Sequence, residues 1–366
     1  DFVLRVAASI GLCCSLGFAA PLKTDANETN RVKYPAPIEK MVGQMIVIGF
    51  EGKRSSEAGA KLVMGRIKKG EIGGVVLYAR NIDDPMQLEA FTRALHYSIG
   101  SNPPLWIMID QEGGKIQRLN SQKGFSDYPS AKKVGAGTPN AAYATYRDLA
   151  CELRGYGINF NLAPVVDLDR GEGVIASDQR GFDSDGQKVA KFAEQFIKAH
   201  DSCGILTALK HFPGHGGAIA DPHIESASAT IQTDDLIPFT RLIDSKKARA
   251  VMMAHIIDPS EGDLPASLSA KQISRLRALG FDGTVISDDL QMGAIARNFD
   301  LNQTVALAIN AGNDILLFSN MLSYDPEVPD KVLAIVKAAI DSGEIDPRRI
   351  IDSYNRIIAL KNKRLP

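Results

Sequence analysis

Eight short apolar runs recur along this chain with amphipathic stretches between most of them, and that alternation limits the fold to the α/β class. The runs are QMIVIGF (44–50), GGVVLYA (73–79), LWIMID (105–110), INFNLAPVVDL (158–168), GILTALKHF (204–212), RAVMMAHII (249–257), GTVISDD (283–289) and NDILLFS (313–319). Most are continuous in hydrophobicity, as parallel strands covered on both faces require. Amphipathic segments fall at 55–69, 85–98, 141–156, 187–202, 234–245, 301–311 and 331–342. Eight strands alternating with helices over about 320 residues predict a single (β/α)₈ barrel, with a doubly wound open sheet as the alternative.

A barrel places its chemistry where strands end and βα loops begin. The predicted ends carry Asp110, Asp167, His211, His255 and Asp288. Polar groups that finish apolar strands are costly to bury unless paired, so five at one rim point to a common site. Taken alone, Asp288 reads equally well as a helix N-cap. The long segment 118–140 is poor in regular signals and is assigned to the mouth of the pocket.

The stretch ALKHFPGHGGAIADPHIESAS (208–228) holds three of the six histidines, His211, His215 and His223, together with Asp221. Such a cluster suits proton transfer or metal binding. Pro213, Gly214 and Gly216 deny it the helical geometry with which His211 and His215 could share a metal. A metal-dependent barrel hydrolase and purely structural histidines both stay open on the residues alone. Asp288 and Asp289 close the seventh run, and strand alternation allows only one of them to face the pocket. Asp288 is assigned that place. A carboxylate there can attack an anomeric carbon, while Asp221 can hold His223 as the acid and base.

Composition removes other classes. With 42 basic and 43 acidic residues the formal net charge is -1, and no basic run follows a phosphate backbone, so nucleic acid is not an expected partner. Residues 1–20 read as a secretory signal peptide, with Arg5 ahead of an apolar or small stretch that ends on small residues. Residues 21–35 read as a linker and 36–366 as the catalytic barrel. Periplasmic or secreted localisation follows, with no stable membrane insertion after signal cleavage, or a cytoplasmic place if the segment is not a working signal. Leu12 before Cys13 argues against a lipoprotein. The spacing of Cys13, Cys14, Cys151 and Cys203 suggests neither a zinc site nor a disulfide framework. Cys151 and Cys203 could bridge only if their helices meet.

KHFPGHG (210–216) followed by Asp221 and His223 resembles the signature of glycoside hydrolase family 3, in its NagZ-type β-N-acetylglucosaminidase branch. DQEGGKIQR (110–118), APVVDL (163–168) and GFDGTVISDDLQM (280–292) resemble further segments of that family, in the same order. The resemblance implies a retaining exo-β-N-acetylglucosaminidase on one barrel, with Asp288 as nucleophile and His223 with Asp221 as the acid/base dyad. Asp110, Arg118, Arg180, Lys210 and His211 would hold a terminal N-acetylglucosamine, Arg180 being carried over from ASDQRGFDSD (176–185). No metal and no organic cofactor is implied. A monomer acting on peptidoglycan fragments or chitin-type oligosaccharides is expected. A β-glucosidase or phosphorylase of the same family, and a glycan-binding protein on a degenerate barrel, are the alternatives. Lys115, Gly181 and Pro222 depart from the family pattern, and Pro222 bears on how the dyad loop closes.

Overall fold

Each of the eight apolar runs forms a strand in the computed structural model, which describes residues 32–222 and 225–363. The strands are β1 (Ile46–Ile48), β2 (Gly74–Leu77), β3 (Trp106–Ile109), β4 (Phe160–Asn161), β5 (Leu206–Phe212), β6 (Ala250–Met253), β7 (Thr284–Ser287) and β8 (Leu316–Phe318). All are parallel, each beside its sequence neighbour, and β1 also pairs with β8 through Ile46 and Leu316. A bridge between Ile286 and Ile315 joins β7 to β8, so the sheet closes as a barrel. Closure leaves no free edge, which explains how strands of two to seven residues suffice.

One helix follows each strand: α1 (Ala58–Lys69), α2 (Pro85–Tyr97), α3 (Pro139–Gly155), α4 (Gly186–Ser202), α5 (Ile237–Asp244), α6 (Ala270–Ala278), α7 (Leu301–Ala311) and α8 (Val328–Asp341). Their limits are written in local chemistry. Asp84 and Thr138 accept a backbone N–H at the starts of α2 and α3, each with proline next in line. Gly70 ends α1 and Gly312 ends α7, both at positive φ. Three of the described helices of eight residues or more lie outside the predicted segments: Ile38–Met45, α6 and Pro347–Lys361. The last reaches under the barrel, where Lys361 Nζ donates to Gln44 Oε1 and Gly73 O at 2.7 Å each and stands 4.7 Å from the Trp106 ring centroid.

The α3–α4 seam is aromatic, with Tyr146 and Phe196 centroids 4.5 Å apart, and it brings Cys151 and Cys203 together. They form a disulfide with Cα atoms 5.2 Å apart. The cysteine spacing had suggested no disulfide framework, because pairing depends on two helices 52 residues apart meeting across one strand. Among the described residues no helix is long and apolar enough to cross a membrane. The predicted signal segment 1–20 and most of the linker lie outside the described residues.

Candidate active site

The C-terminal ends of the strands surround a cavity of about 310 Å³. Asp110, Arg118, Arg180, Lys210, His211 and Asp288 all line it, so six of the eight predicted site residues meet in one place. His223 lies outside the described residues. Asp221 is described, one residue before cavity-lining Pro222.

Along the cavity wall the charges interlock. Lys210 Nζ stands 2.9 Å from Asp110 Oδ1 and 2.7 Å from Glu112 Oε1. Arg180 clamps Glu112 with Nε and Nη2, at 2.9 and 2.8 Å. Arg118 Nη2 approaches Asp110 Oδ2 at 3.4 Å, and its guanidinium lies 5.5 Å from the Tyr78 ring centroid. Burial alone would raise the pKa of Asp110 and Glu112, but the neighbouring cations outweigh it and hold both carboxyls below their usual range. Burial likewise opposes the charge of Lys210, and Asp110 and Glu112 reverse that and raise its pKa. This cluster is therefore ionised at neutral pH. Arg180 and Lys210 are bound more fully to protein carboxylates than a solvated rim would allow.

Glu112 is the hub that the sequence reading missed. It lies two residues after Asp110, and alternation puts residues i and i+2 on one side of an extended strand. That spacing was the available signal.

Lys210 and His211 are neighbours on β5, yet both line the cavity. The β5–β6 register shifts between Lys210 and Phe212, and such a bulge re-aims side chains that regular alternation would separate. The Lys210–His211 and Phe212–Pro213 peptides are cis. Asp167, fully buried, gathers the turn: its carboxylate accepts from His211 Nδ1 at 2.7 Å, from the His211 amide at 3.2 Å and from the His215 amide at 2.7 Å. With Nδ1 donating to Asp167, the other ring nitrogen of His211 is left for a ligand. Gly216 is required by close approach, since a Cβ there would stand 2.0 Å from Leu168 O.

Asp288 follows the last residue of β7. Strand alternation therefore stops one residue too early to separate it from Asp289, and both reach the cavity wall. Their environments divide them. Asp289 accepts from Ser319 N and Ser319 Oγ at 2.9 and 2.5 Å, which ties β7 to the segment after β8. Behind it, His255 donates Nε2–H to Asp289 O at 2.8 Å and accepts from Ser267 Oγ at 2.7 Å. His255 thus supports the backbone behind Asp288; of the five predicted rim residues, Asp110, His211 and Asp288 line the cavity, while His255 and the buried Asp167 stand behind its wall.

The loop after β5 folds back over the Asp288 side. Pro222 O accepts from Ala294 N at 3.1 Å, and Asn298 Nδ2 donates to Ser226 Oγ at 3.0 Å. Ala227–Ser228 then pairs in parallel with Ile256–Ile257. The segment 118–140, in contrast, contributes only Arg118 to the lining. Phe125 and Tyr128 are buried, and Tyr128 Oη donates to Glu152 at 2.9 Å, so apolar anchors hold it against α3 instead. Among the described residues no group of three His, Cys, Asp or Glu side chains is placed to hold a metal ion.

A closed parallel barrel with a carboxylate at the tip of β7, lining a cavity that also holds paired charges, is the arrangement of a barrel glycoside hydrolase. Residues 37–360 match the family model described as glycosyl hydrolase family 3 N terminal domain, and the chain belongs to that family. A β-hexosaminidase of Alkalilimnicola ehrlichii is 34% identical over 326 residues, 85% of this chain and 88% of that protein. One of Methylobacillus flagellatus is 35% identical over 286 residues, 74% of this chain and 79% of that protein. Among solved structures, a family 3 β-N-acetylglucosaminidase from Paenibacillus sp. superposes with a TM-score of 0.82 at 31% identity, covering 90% of this chain and 63% of that one. A β-N-acetylhexosaminidase from Beutenbergia cavernae superposes with a TM-score of 0.79 at 29% identity, covering 90% of this chain and all of that one.

Proposed function

We propose that this protein is a retaining exo-β-N-acetylglucosaminidase that removes a terminal β-linked N-acetylglucosamine by double displacement. The observation that carries the reading is the shared cavity of Asp288 and Asp110, about 310 Å³ in volume and lined by the paired Lys210, Glu112 and Arg180. A cavity of that size takes the tip of a glycan and not its middle. Asp110 takes sugar hydroxyls with its carboxylate, while Arg118, Lys210 and His211 offer donors around it.

In the first step Asp288 attacks C1 from one face as His223 gives its proton to the departing oxygen. The glycosidic bond breaks and a covalent glycosyl-enzyme forms. Water then yields its proton to His223, attacks C1 and releases Asp288, so configuration is retained. Asp221, two residues from His223, orients the ring and favours its charged form. A histidine in this role avoids a second negative charge beside the nucleophile. No step calls for a metal or an organic cofactor. We take the monomer as the active unit.

We also propose export across the inner membrane. The Cys151–Cys203 disulfide supports it, because such bonds persist in oxidising compartments, and so does the signal-like segment 1–20.

The direct test is release of 4-nitrophenol from the β-N-acetylglucosaminide and the β-glucoside, with product configuration followed by NMR. Selective cleavage of the acetamido sugar with β-configured product is expected. Preference for the glucoside, or an α-product, would contradict the assignment.

A further inference from the structure

Met321 and Leu322, 50% and 61% exposed, stand at the mouth of the cavity and line it. Large apolar side chains left in water at the entrance of a site mark a surface that a ligand covers. Their support is fixed from below. Ser319 is bound to Asp289, Met321 N donates to Ser319 Oγ at 3.1 Å, and Asn320 Nδ2 donates to Gly49 O at 2.9 Å. Ile116 and Val174 add further apolar lining.

The cations near this level already have partners. Arg80 donates Nε to Phe50 O, Nη1 to Asn320 O and Nη2 to Ser319 O, at 3.0, 2.6 and 3.0 Å. Lys115, beside Ile116, pairs with Asp178 at 2.5 Å. Deeper in, Arg180 and Lys210 are bound to Glu112 and Asp110. Acidic and basic side chains are equal in number among the described lining residues, four of each, so their formal charges set up no surplus that would draw an anion inward.

We infer that the aglycone site of this enzyme takes a neutral leaving group with an apolar face and discriminates against an acidic one. A carboxylate carried on the aglycone would lose water against Met321 and Leu322 without gaining an unpaired lysine or arginine among the described lining residues. A second N-acetylglucosamine, as in chito-oligosaccharides, meets the wall with its apolar ring face and keeps its hydroxyls in solvent. A muramic-acid-type sugar places its lactyl carboxylate there. The inference rests on the N-acetylglucosaminidase reading and names its aglycone class.

The test compares kcat/KM of the full chain on three disaccharides: N-acetylglucosaminyl-β-1,4-N-acetylglucosamine, N-acetylglucosaminyl-β-1,4-N-acetylmuramic acid, and the lactyl methyl ester of the second. N-acetylglucosaminyl β-fluoride, whose leaving group is too small to reach the wall, is assayed alongside. The neutral disaccharide and the ester are expected to be cleaved about tenfold better than the acid, and Leu322→Lys to narrow that gap several-fold. Equal or better cleavage of the free acid by the wild type, with the fluoride turned over normally, would overturn the inference alone. Failure on the fluoride as well as on the disaccharides would overturn the glycosidase reading on which it stands.

Discussion

Lys210 Nζ lies 2.7 Å from Glu112 Oε1, and both side chains are almost wholly removed from solvent. A buried pair of this kind holds geometry more than it adds net stability, but removing one charge leaves the other stranded. Glu112 serves Lys210 and Arg180 at once, so it sets the positions of two proposed sugar-binding cations.

Glu112→Gln should therefore raise KM for 4-nitrophenyl β-N-acetylglucosaminide about tenfold and lower stability by roughly 3 kcal/mol. Glu112→Asp keeps the charge and should restore part of the KM. Steady-state kinetics and thermal melts measure the two effects separately. Unchanged KM in the glutamine variant would remove Glu112 from the binding geometry.

Asp288→Ala should lose at least about four orders of magnitude in kcat, as expected for a nucleophile acting within a unit. His223→Ala should lose about 10² to 10⁴ on chitobiose and much less in the first step on an aryl glycoside, whose leaving group needs little protonation. Pre-steady-state release of 4-nitrophenol separates the steps. Equal losses on both substrates would place His223 outside acid catalysis.

Stability should fall with acid in two stages. Burial pushes His200 down to about 3 and His215 to about 4. His200 donates Nδ1–H to Phe196 O at 2.9 Å and accepts at Nε2 from Asn161 Nδ2 at 3.0 Å, so a second ring proton would face a donor. Unfolded chains protonate these rings near 6.5. A depressed folded pKa means the stabilisation is complete above that value and is lost as pH falls toward 4, at about 1.4 kcal/mol per pH unit for each ring. Asp110, Glu112 and Asp167, also held low, add a second loss below about 4. Melting temperature measured from pH 7.5 to 4.5 should decline, and His200→Gln should flatten the slope. Parallel slopes in the two proteins would refute the assignment to His200.

Reduction of Cys151–Cys203 frees a chain segment spanning 52 positions and, on loop-closure grounds, should cost about 4 kcal/mol. Melts with and without dithiothreitol, compared with the double serine variant, should agree. A melting point insensitive to both would show that the α3–α4 packing already supplies the constraint.

Much of this architecture was readable in advance, for identifiable reasons. Continuous apolar runs marked all eight barrel strands, and residues at their ends supplied most of the cavity. The helix Pro347–Lys361 carries Ile350, Tyr354, Ile357 and Ile358 at helical spacing, a signal present but not used. In α6 the core-facing residues reduce to Ile273 and Leu276 with Gln272, too thin a stripe to announce a helix. The bulge at His211 was illegible, because register depends on the neighbouring strand. So was the division of labour between Asp288 and Asp289, which Ser319, thirty residues away, decides.

The disulfide also changes what a protease can do to this enzyme. Asp167, Arg180 and the exposed turn at Gly171–Glu172 all lie between Cys151 and Cys203. A single cut in that turn would break the backbone between two site residues and still leave the halves covalently joined. Such a nicked molecule would run as one species on a non-reducing gel and as two fragments after reduction, so electrophoresis without a reductant would pass a cut molecule as whole.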